Sequence, residues 1–272
     1  MKLVRFAFAL LVAAAALPAG AQQDFVFGIN EGVTYRVTPH ETRERYRELG
    51  ELLSKSLKRP VKLVPVDQYP VLQKGLQDKV YDLAYIHPTH HALRAMRDSG
   101  YKLVAVTKGF TDYKARFLMK PDAPYKQPQD VLKTKMVMPD PDSITAWMVR
   151  ATLRDLGADP AKLNLGTTRY QDGIPFMMEN GFYDVGITAA GAVVKDWQSK
   201  GGKVLFESKA VPIKLLVASP NVPASDVEKI REIFLTLETS KEGPAILEKL
   251  KFKGYQPGDD KQMAELTKWL GI

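Results

Sequence analysis

The chain contains no cysteine. Disulfides, thiolate metal sites and a lipid anchor on a cysteine are therefore excluded. Histidine is scarce, with four residues, and three of them crowd into Tyr85-Ile-His87-Pro-Thr-His90-His91. Beyond the first 21 residues there is no long apolar run, so no membrane span is expected. Lys and Arg, 39 in all, are scattered among 31 acids without a dense basic block, so no nucleic-acid partner is expected. The G-x-S-x-G elbow, the G-x-x-x-x-G-K-[ST] loop and the G-x-G-x-x-G turn are absent. With them goes the simplest support for an enzyme. No cofactor is implied. Low-complexity segments and repeats at solenoid periods are also missing.

What the chain does have begins at its N-terminus. Lys2 and Arg5 precede an uncharged apolar stretch, Phe6 to Leu17, and then the small-x-small pattern Ala19-Gly-Ala21. This is the pattern of a secretory signal peptide, residues 1–21, cut between Ala21 and Gln22. Its removal leaves 251 residues with a net charge of +6. The expected compartment is the periplasm, and a modest positive balance favours a small anionic partner.

The rest alternates short apolar runs with amphipathic ones. Phe25–Ile29, Val61–Val66, Tyr81–Ile86 and Leu103–Thr107 read as strands, separated by helical patterns. Thr38-Pro-His-Glu41 is a helix start with a capping box. A second series of strands and helices runs from Ala115 to Glu207. The expected fold is α/β with two lobes, each a mostly parallel sheet flanked by helices. Lobe 1 is expected to be discontinuous, 22–112 plus 210–272, and lobe 2 to span 113–209. Ligands of open α/β sheets bind beyond the C-terminal strand ends. Two such edges facing each other make a cleft.

One stretch stands at the centre of this order: Met136-Val-Met-Pro-Asp-Pro-Asp-Ser143-Ile144-Thr145, continuing to Gly157. It reads as a buried strand, a proline-bounded turn and a helix capped by Asp142 or Ser143. The first N–H groups of a helix lack internal partners, and the macrodipole adds positive charge there. With the hydroxyls of Ser143 and Thr145 they form a socket for an oxyanion. Trp147, one turn further, is expected to pack in the core.

His87 follows a predicted strand and Pro88 keeps it in a loop, where it can reach a ligand; Thr89 is expected to cap the next helix, with His90 and His91 on its first turn. A metal held by His87 and His91 is a weaker reading. Lys108, Arg116 and Arg169 stand near strand ends and could place a cation in the cleft. Tyr35 and Arg36 follow the first strand, and Glu31 beside them would repel an anion.

Several segments, in this order and spacing, resemble the periplasmic substrate-binding proteins of ABC importers in the phosphate, phosphite and phosphonate group. They are Phe27-Gly-Ile29, Asp67-Gln-Tyr69 through Gly75, Asp82-Leu-Ala-Tyr85, Asp140-Pro-Asp-Ser143-Ile-Thr145 and Asn180-Gly-Phe-Tyr-Asp184-Val-Gly186. The resemblance implies a two-lobe receptor of the venus-flytrap kind with a small anionic solute and an ABC permease as partners. The same fold can instead serve a sensor kinase. A monomer suits either role. It also implies ligand contacts: Tyr69 from the first lobe, and Ser143, the Ile144 backbone and Thr145 at the helix start; Tyr85 and His87, at the end of the same predicted strand, are expected to support them. Gln171 stands near a family histidine, and Asp184 on a second-lobe strand approaching the cleft. The chain departs from the family at Ile144, where a third hydroxyl is common, at Ala146 for a glycine and at Ile86 for a tyrosine.

Overall fold

The computed structural model describes residues 23–32 and 37–272. The expected leader, Tyr35 and Arg36 lie outside the described residues. Along the chain run β1 (Phe25–Asn30), α1 (Pro39–Leu57), β2 (Val61–Pro65), α2 (Tyr69–Gln77), β3 (Leu83–Ile86), α3 (Thr89–Ser99) and β4 (Lys102–Thr107). Then come β5 (Arg116–Met119), β6 (Met136–Pro139), α4 (Ile144–Asp155), β7 (Leu165–Thr168), α5 (Ile174–Glu179), β8 (Val185–Thr188), α6 (Gly191–Ser199) and β9 (Lys203–Glu207). The chain closes with β10 (Leu215–Ala218), α7 (Ala224–Thr236), α8 (Gly243–Leu250), β11 (Tyr255–Gln256) and α9 (Asp260–Leu270).

These strands form two sheets, ordered β2-β1-β3-β10-β4-β11 and β7-β6-β8-β5-β9. The first five positions correspond one to one, so the two sheets repeat one topology. Four strands of each sheet run in one direction, as strand–helix alternation predicts, and each sheet also carries an inserted antiparallel strand. The β1–β2 and β1–β3 pairs are parallel, but β10 runs antiparallel to both β3 and β4. Likewise β6 is parallel to β7 and β8, and β5 is antiparallel to β8 and β9. The reason lies in the connections. The chain leaves sheet 1 at the C-terminal end of β4 and enters sheet 2 with Arg116 opposite Thr188, the C-terminal end of β8. It returns with Leu215 opposite Ile86, the C-terminal end of β3. A strand entering a sheet at that edge must run against its neighbours. Both crossings therefore join the edges where ligands of α/β folds bind. The two crossing segments pair with each other between Tyr113 and Val211.

Three apolar layers hold this together. Under α1, α7 and α8, one face of sheet 1 buries Phe25, Phe27, Tyr46, Leu49 and Phe234. Under α5 and α6, one face of sheet 2 buries Leu118, Val137, Met178 and Trp197. The third cluster is shared by both lobes: Leu72, Ile86 and Leu93 of lobe 1 join Met138, Ile144, Met148 and Val149 of lobe 2, with Met263, Leu266 and Leu270 of α9. The terminal helix packs on α3 and on α4, so it links the lobes besides the two crossings. Among the described residues, no helix is long and apolar enough to cross a membrane.

Candidate functional site

The start of α4 is built as its sequence predicts. Pro139 closes β6 and Pro141 keeps the chain out of a ladder. Ser143 is the N-cap, and its Oγ accepts from the Ala146 N–H at 3.1 Å. No acidic residue stands in the first turn. The N–H groups of Ile144 and Thr145 precede the first intrahelical bond and have no acceptor among the described residues. Ile144 turns its side chain into the shared core, which leaves its backbone as the polar element. Thr145 is buried, and its Oγ1 shares a 3.1 Å hydrogen bond with the hydroxyl of Tyr113 on the crossing segment. This end of α4 thus offers two amides and two hydroxyls with no carboxylate in its first turn; Asp140 and Asp142 stand exposed just before the cap, the Asp140 carboxylate accepting from the Asp142 N–H.

Lobe 1 comes to this helix through α3. His90 stacks on Trp147 with ring centres 6.0 Å apart, and the Asp142 backbone lies against its imidazole. Trp147 is not a plain core residue, which corrects the expectation for it. Its indole lies between the guanidinium of Arg94 of lobe 1, 4.8 Å from the ring centre, and that of Arg150 of lobe 2, at 4.7 Å. Tyr69, at the start of α2, is partly buried 4.5 Å from the ring of His91. Thr89 does not cap α3, whose N-cap is Pro88; instead its hydroxyl donates to the Pro212 carbonyl on the returning crossing.

His87 sits at the edge of β3, and its Nδ1 donates to the Glu31 carbonyl at 2.8 Å. A carbonyl can only accept, so this bond places the proton on Nδ1 and leaves Nε2 as an acceptor. Gly32, at φ +86°, makes the approach possible, because a Cβ there would meet the imidazole at 2.8 Å. Burial and nearby Lys214 push the His87 pKa down to about 3. His87 is therefore neutral at neutral pH, with its one donor already used. Burial lowers the other two imidazoles as well: His91 to about 4, helped by Arg94, and His90 further, helped by His91 and Arg94. Among the described residues, no group of three or more His, Asp and Glu is placed to hold a metal ion.

Two expected contact residues stand away from α4. Tyr85 is 1 % exposed and faces the core under α1 and α8, packed on Tyr46 and Phe252. Asp184 precedes β8, at the opposite end from the C-terminal edge, where its carboxylate accepts from the Lys135 N–H at 2.9 Å. Gln171 lies at the correct edge but plugs it. Its Oε1 accepts from Thr188 Oγ1, Ala189 N and Ala190 N at 2.8, 2.7 and 3.1 Å, filling the turn into α6. The cations named from sequence are otherwise engaged: Lys108 with Glu238, Arg116 with Glu207, and Arg169 over Tyr170.

Sequence reasoning passes over two residues that the fold brings to this region. Tyr113 binds Thr145, as described. Lys214 immediately precedes β10, and its ammonium lies 3.6 Å from the ring centre of Phe110. A lone charge between Val211-Pro-Ile and a fully buried Leu-Leu-Val-Ala strand was the available signal.

Two sheets of one topology, joined edge to edge by two crossings, with an acid-free helix start at the junction, define a two-lobed solute-binding protein. The sequence matches the family of phosphonate periplasmic substrate-binding proteins of ABC transporters over residues 32–263. The chain belongs to that family, whose members bind small solutes and work with an ABC transporter. No curated protein matches the sequence. Among solved structures, the chain is similar to XAC2383 from Xanthomonas citri bound to ATP, at TM-score 0.71 and 13% identity, covering 91% of this chain and 98% of that one. It is similar to PhnD1 from Prochlorococcus marinus in complex with methylphosphonate, at TM-score 0.64 and 15% identity, covering 90% and 97%. A histidine kinase sensor domain also shares the fold, at TM-score 0.52 and 13% identity, covering 88% and 99%. Identities this low speak for the fold.

Proposed function

We propose that this chain is a periplasmic receptor that closes over a small oxyanion of the phosphonate or phosphate type and presents it to an ABC permease. The observation that carries the ligand class is the start of α4: Ser143 and Thr145 hydroxyls, two amides without acceptors, and no carboxylate in the first turn. The methylphosphonate held by the Prochlorococcus relative supports the same class. In this reading Ser143, the Ile144 and Thr145 amides and Thr145 Oγ1 hold the anion, with Tyr69 and His87 lining the lobe 1 side. Tyr85 and Asp184 are left out, since one is core and the other ties the far end of sheet 2. Gln171 shapes the lobe 2 wall by closing the α6 start. The working form is a monomer with residues 1–21 removed, lobe 1 formed by 22–112 plus 210–272 and lobe 2 by 113–209. Only the closed, liganded lobes dock productively, so the solute shifts a population.

The test is a titration of the mature protein, refolded from denaturant to strip bound solute. Phosphate, phosphite, methylphosphonate, sulfate and small carboxylates are compared by melting temperature and tryptophan fluorescence. A ligand at 100 times its dissociation constant adds about 2.7 kcal/mol of stability. A saturable rise with a phosphorus oxyanion is expected; silence to every oxyanion contradicts the proposal. A sensor role is the second reading, favoured by the fold shared with the kinase sensor domain. Co-purification with a permease, rather than with a kinase, separates the two.

A further inference from the structure

Not every cation at the C-terminal edge of sheet 1 is matched by an acid. Arg45 pairs with Glu31, which also accepts from Tyr46, and Lys108 pairs with Glu238. Lys214 forms no ion pair among the described residues. Its ammonium rests on aromatic faces instead, 3.6 Å from the centre of Phe110 and 4.9 Å from that of Phe252. These two rings come from the loop after β4 and the loop after α8, and they pack on each other at 6.0 Å. The backbone of Lys214 is held by the Thr107 N–H, so the side chain leaves from the edge itself. Val211 of the hinge bridge is three residues away, and Tyr113 opposite it reaches Thr145. Lys214 and the α4 start thus flank one hinge from the two lobes.

We propose that Lys214 is a second anion-recognition residue, so that the solute is a small molecule with two acidic groups, one held at the α4 start and the other by Lys214. This rests on the oxyanion reading given above and narrows it. A half-buried cation without a carboxylate is costly, and an incoming anion relieves that cost. Burial and Arg45 lower the Lys214 pKa to about 8, so at pH 7 most molecules carry the charge. The aromatic walls fix the ammonium without neutralising it. A solute bearing its own ammonium at that end would meet the unpaired Lys214 as a like charge and be rejected, whereas Arg45 is already matched by Glu31.

Three probes separate the cases: methylphosphonate with one acidic group, phosphonoacetate with a phosphonate and a carboxylate, and 2-aminoethylphosphonate with a phosphonate and an ammonium. Calorimetric titrations are run on the stripped mature protein, on Lys214→Met and on Lys214→Arg. The native protein is expected to prefer phosphonoacetate over methylphosphonate by about tenfold, the worth of one charge-assisted contact, and to bind 2-aminoethylphosphonate most weakly. Lys214→Met collapses the preference towards one, while Lys214→Arg keeps it. Equal binding of methylphosphonate and phosphonoacetate by the native protein, or a preference that survives in Lys214→Met, overturns the Lys214 proposal alone. Binding of none of the three overturns the oxyanion reading and this proposal together.

Discussion

The two lobes repeat one topology, and the helix after the first strand of each repeat begins in opposite ways. In lobe 1, α1 opens with a complete capping box: Thr38 Oγ1 accepts from the Glu41 N–H, and the Glu41 carboxylate accepts from the Thr38 N–H at 2.7 Å. That carboxylate satisfies the helix start and cancels its positive potential, and these bonds hold its pKa below the usual range. In lobe 2, α4 has the Ser143 cap alone and no acid in its first turn. The same architecture therefore supplies one self-satisfied helix start and one available to an anion. Of the other starts at the junction, Gln171 closes α6 from within the protein. The comparison teaches that helix starts gathered at a cleft are not equivalent, and that the residue in the first turn decides which one is left open to an anion.

The comparison can be pressed with acid first, where the largest effect is expected. All four histidines lie in lobe 1, and none stands between residues 113 and 209. His87 and His91 have folded pKa values lowered to about 3 and about 4, and His90 is lowered too. An unfolded histidine binds its proton near pH 6.5. The unfolded chain therefore binds more protons than the folded one below that point, and stability present above pH 6.5 is lost progressively towards pH 4 and below. Hydrogen exchange should show lobe 1 and the α3–α4 contact loosening before the sheet of lobe 2. Simultaneous loosening, or lobe 2 first, breaks the assignment.

Next comes the pair of helix starts. Ser143→Ala with Thr145→Ala is expected to cost about 2–4 kcal/mol of oxyanion affinity, one or two charge-assisted bonds. Thr38→Ala should leave that affinity alone and lower stability by about 1 kcal/mol through the lost cap. Titration and thermal unfolding of both variants measure the two numbers; comparable affinity losses would make the starts equivalent after all. A last contrast concerns the opposite ends of the sheets, where each repeat has a matching clasp and no effect on ligand affinity is expected. Asp82 accepts from the Val26 N–H at 2.8 Å, as Asp184 does from Lys135. Asp82 is partly buried and Asp184 exposed. Asp82→Ala should therefore cost about 1.5–3 kcal/mol of stability and Asp184→Ala about 0.5–1.5. Any loss of ligand affinity in Asp184→Ala would return that residue to the site.

Much of this was readable from sequence because it is local. The capping box of α1, the Ser143 cap and the buried face of α4 depend on residues within a turn or two of each other. Strand direction is not local: the period of a strand says nothing about its neighbour, and that β5 and β10 run against the others follows only from the crossings. Asp184 could have been placed better, since it precedes its strand and so belongs to the N-terminal edge. Trp147 and Lys214 could not. Their surroundings come from Arg94 and His90 in one case, and from Phe110 and Phe252 in the other, all distant along the chain. His87 was placed at the correct strand end, but its donor is consumed by a backbone carbonyl that only the folded chain brings near.

The central claim is that the acid-free start of α4, and not its counterpart on α1, receives the anion. Backbone amide shifts of the isotope-labelled mature protein, followed through a methylphosphonate titration, test it most directly. The account predicts the largest downfield amide-proton shifts at Ile144 and Thr145, with the amides of His40 and Glu41 unmoved. Shifts centred on the α1 start, with Ile144 and Thr145 silent at saturation, would contradict it.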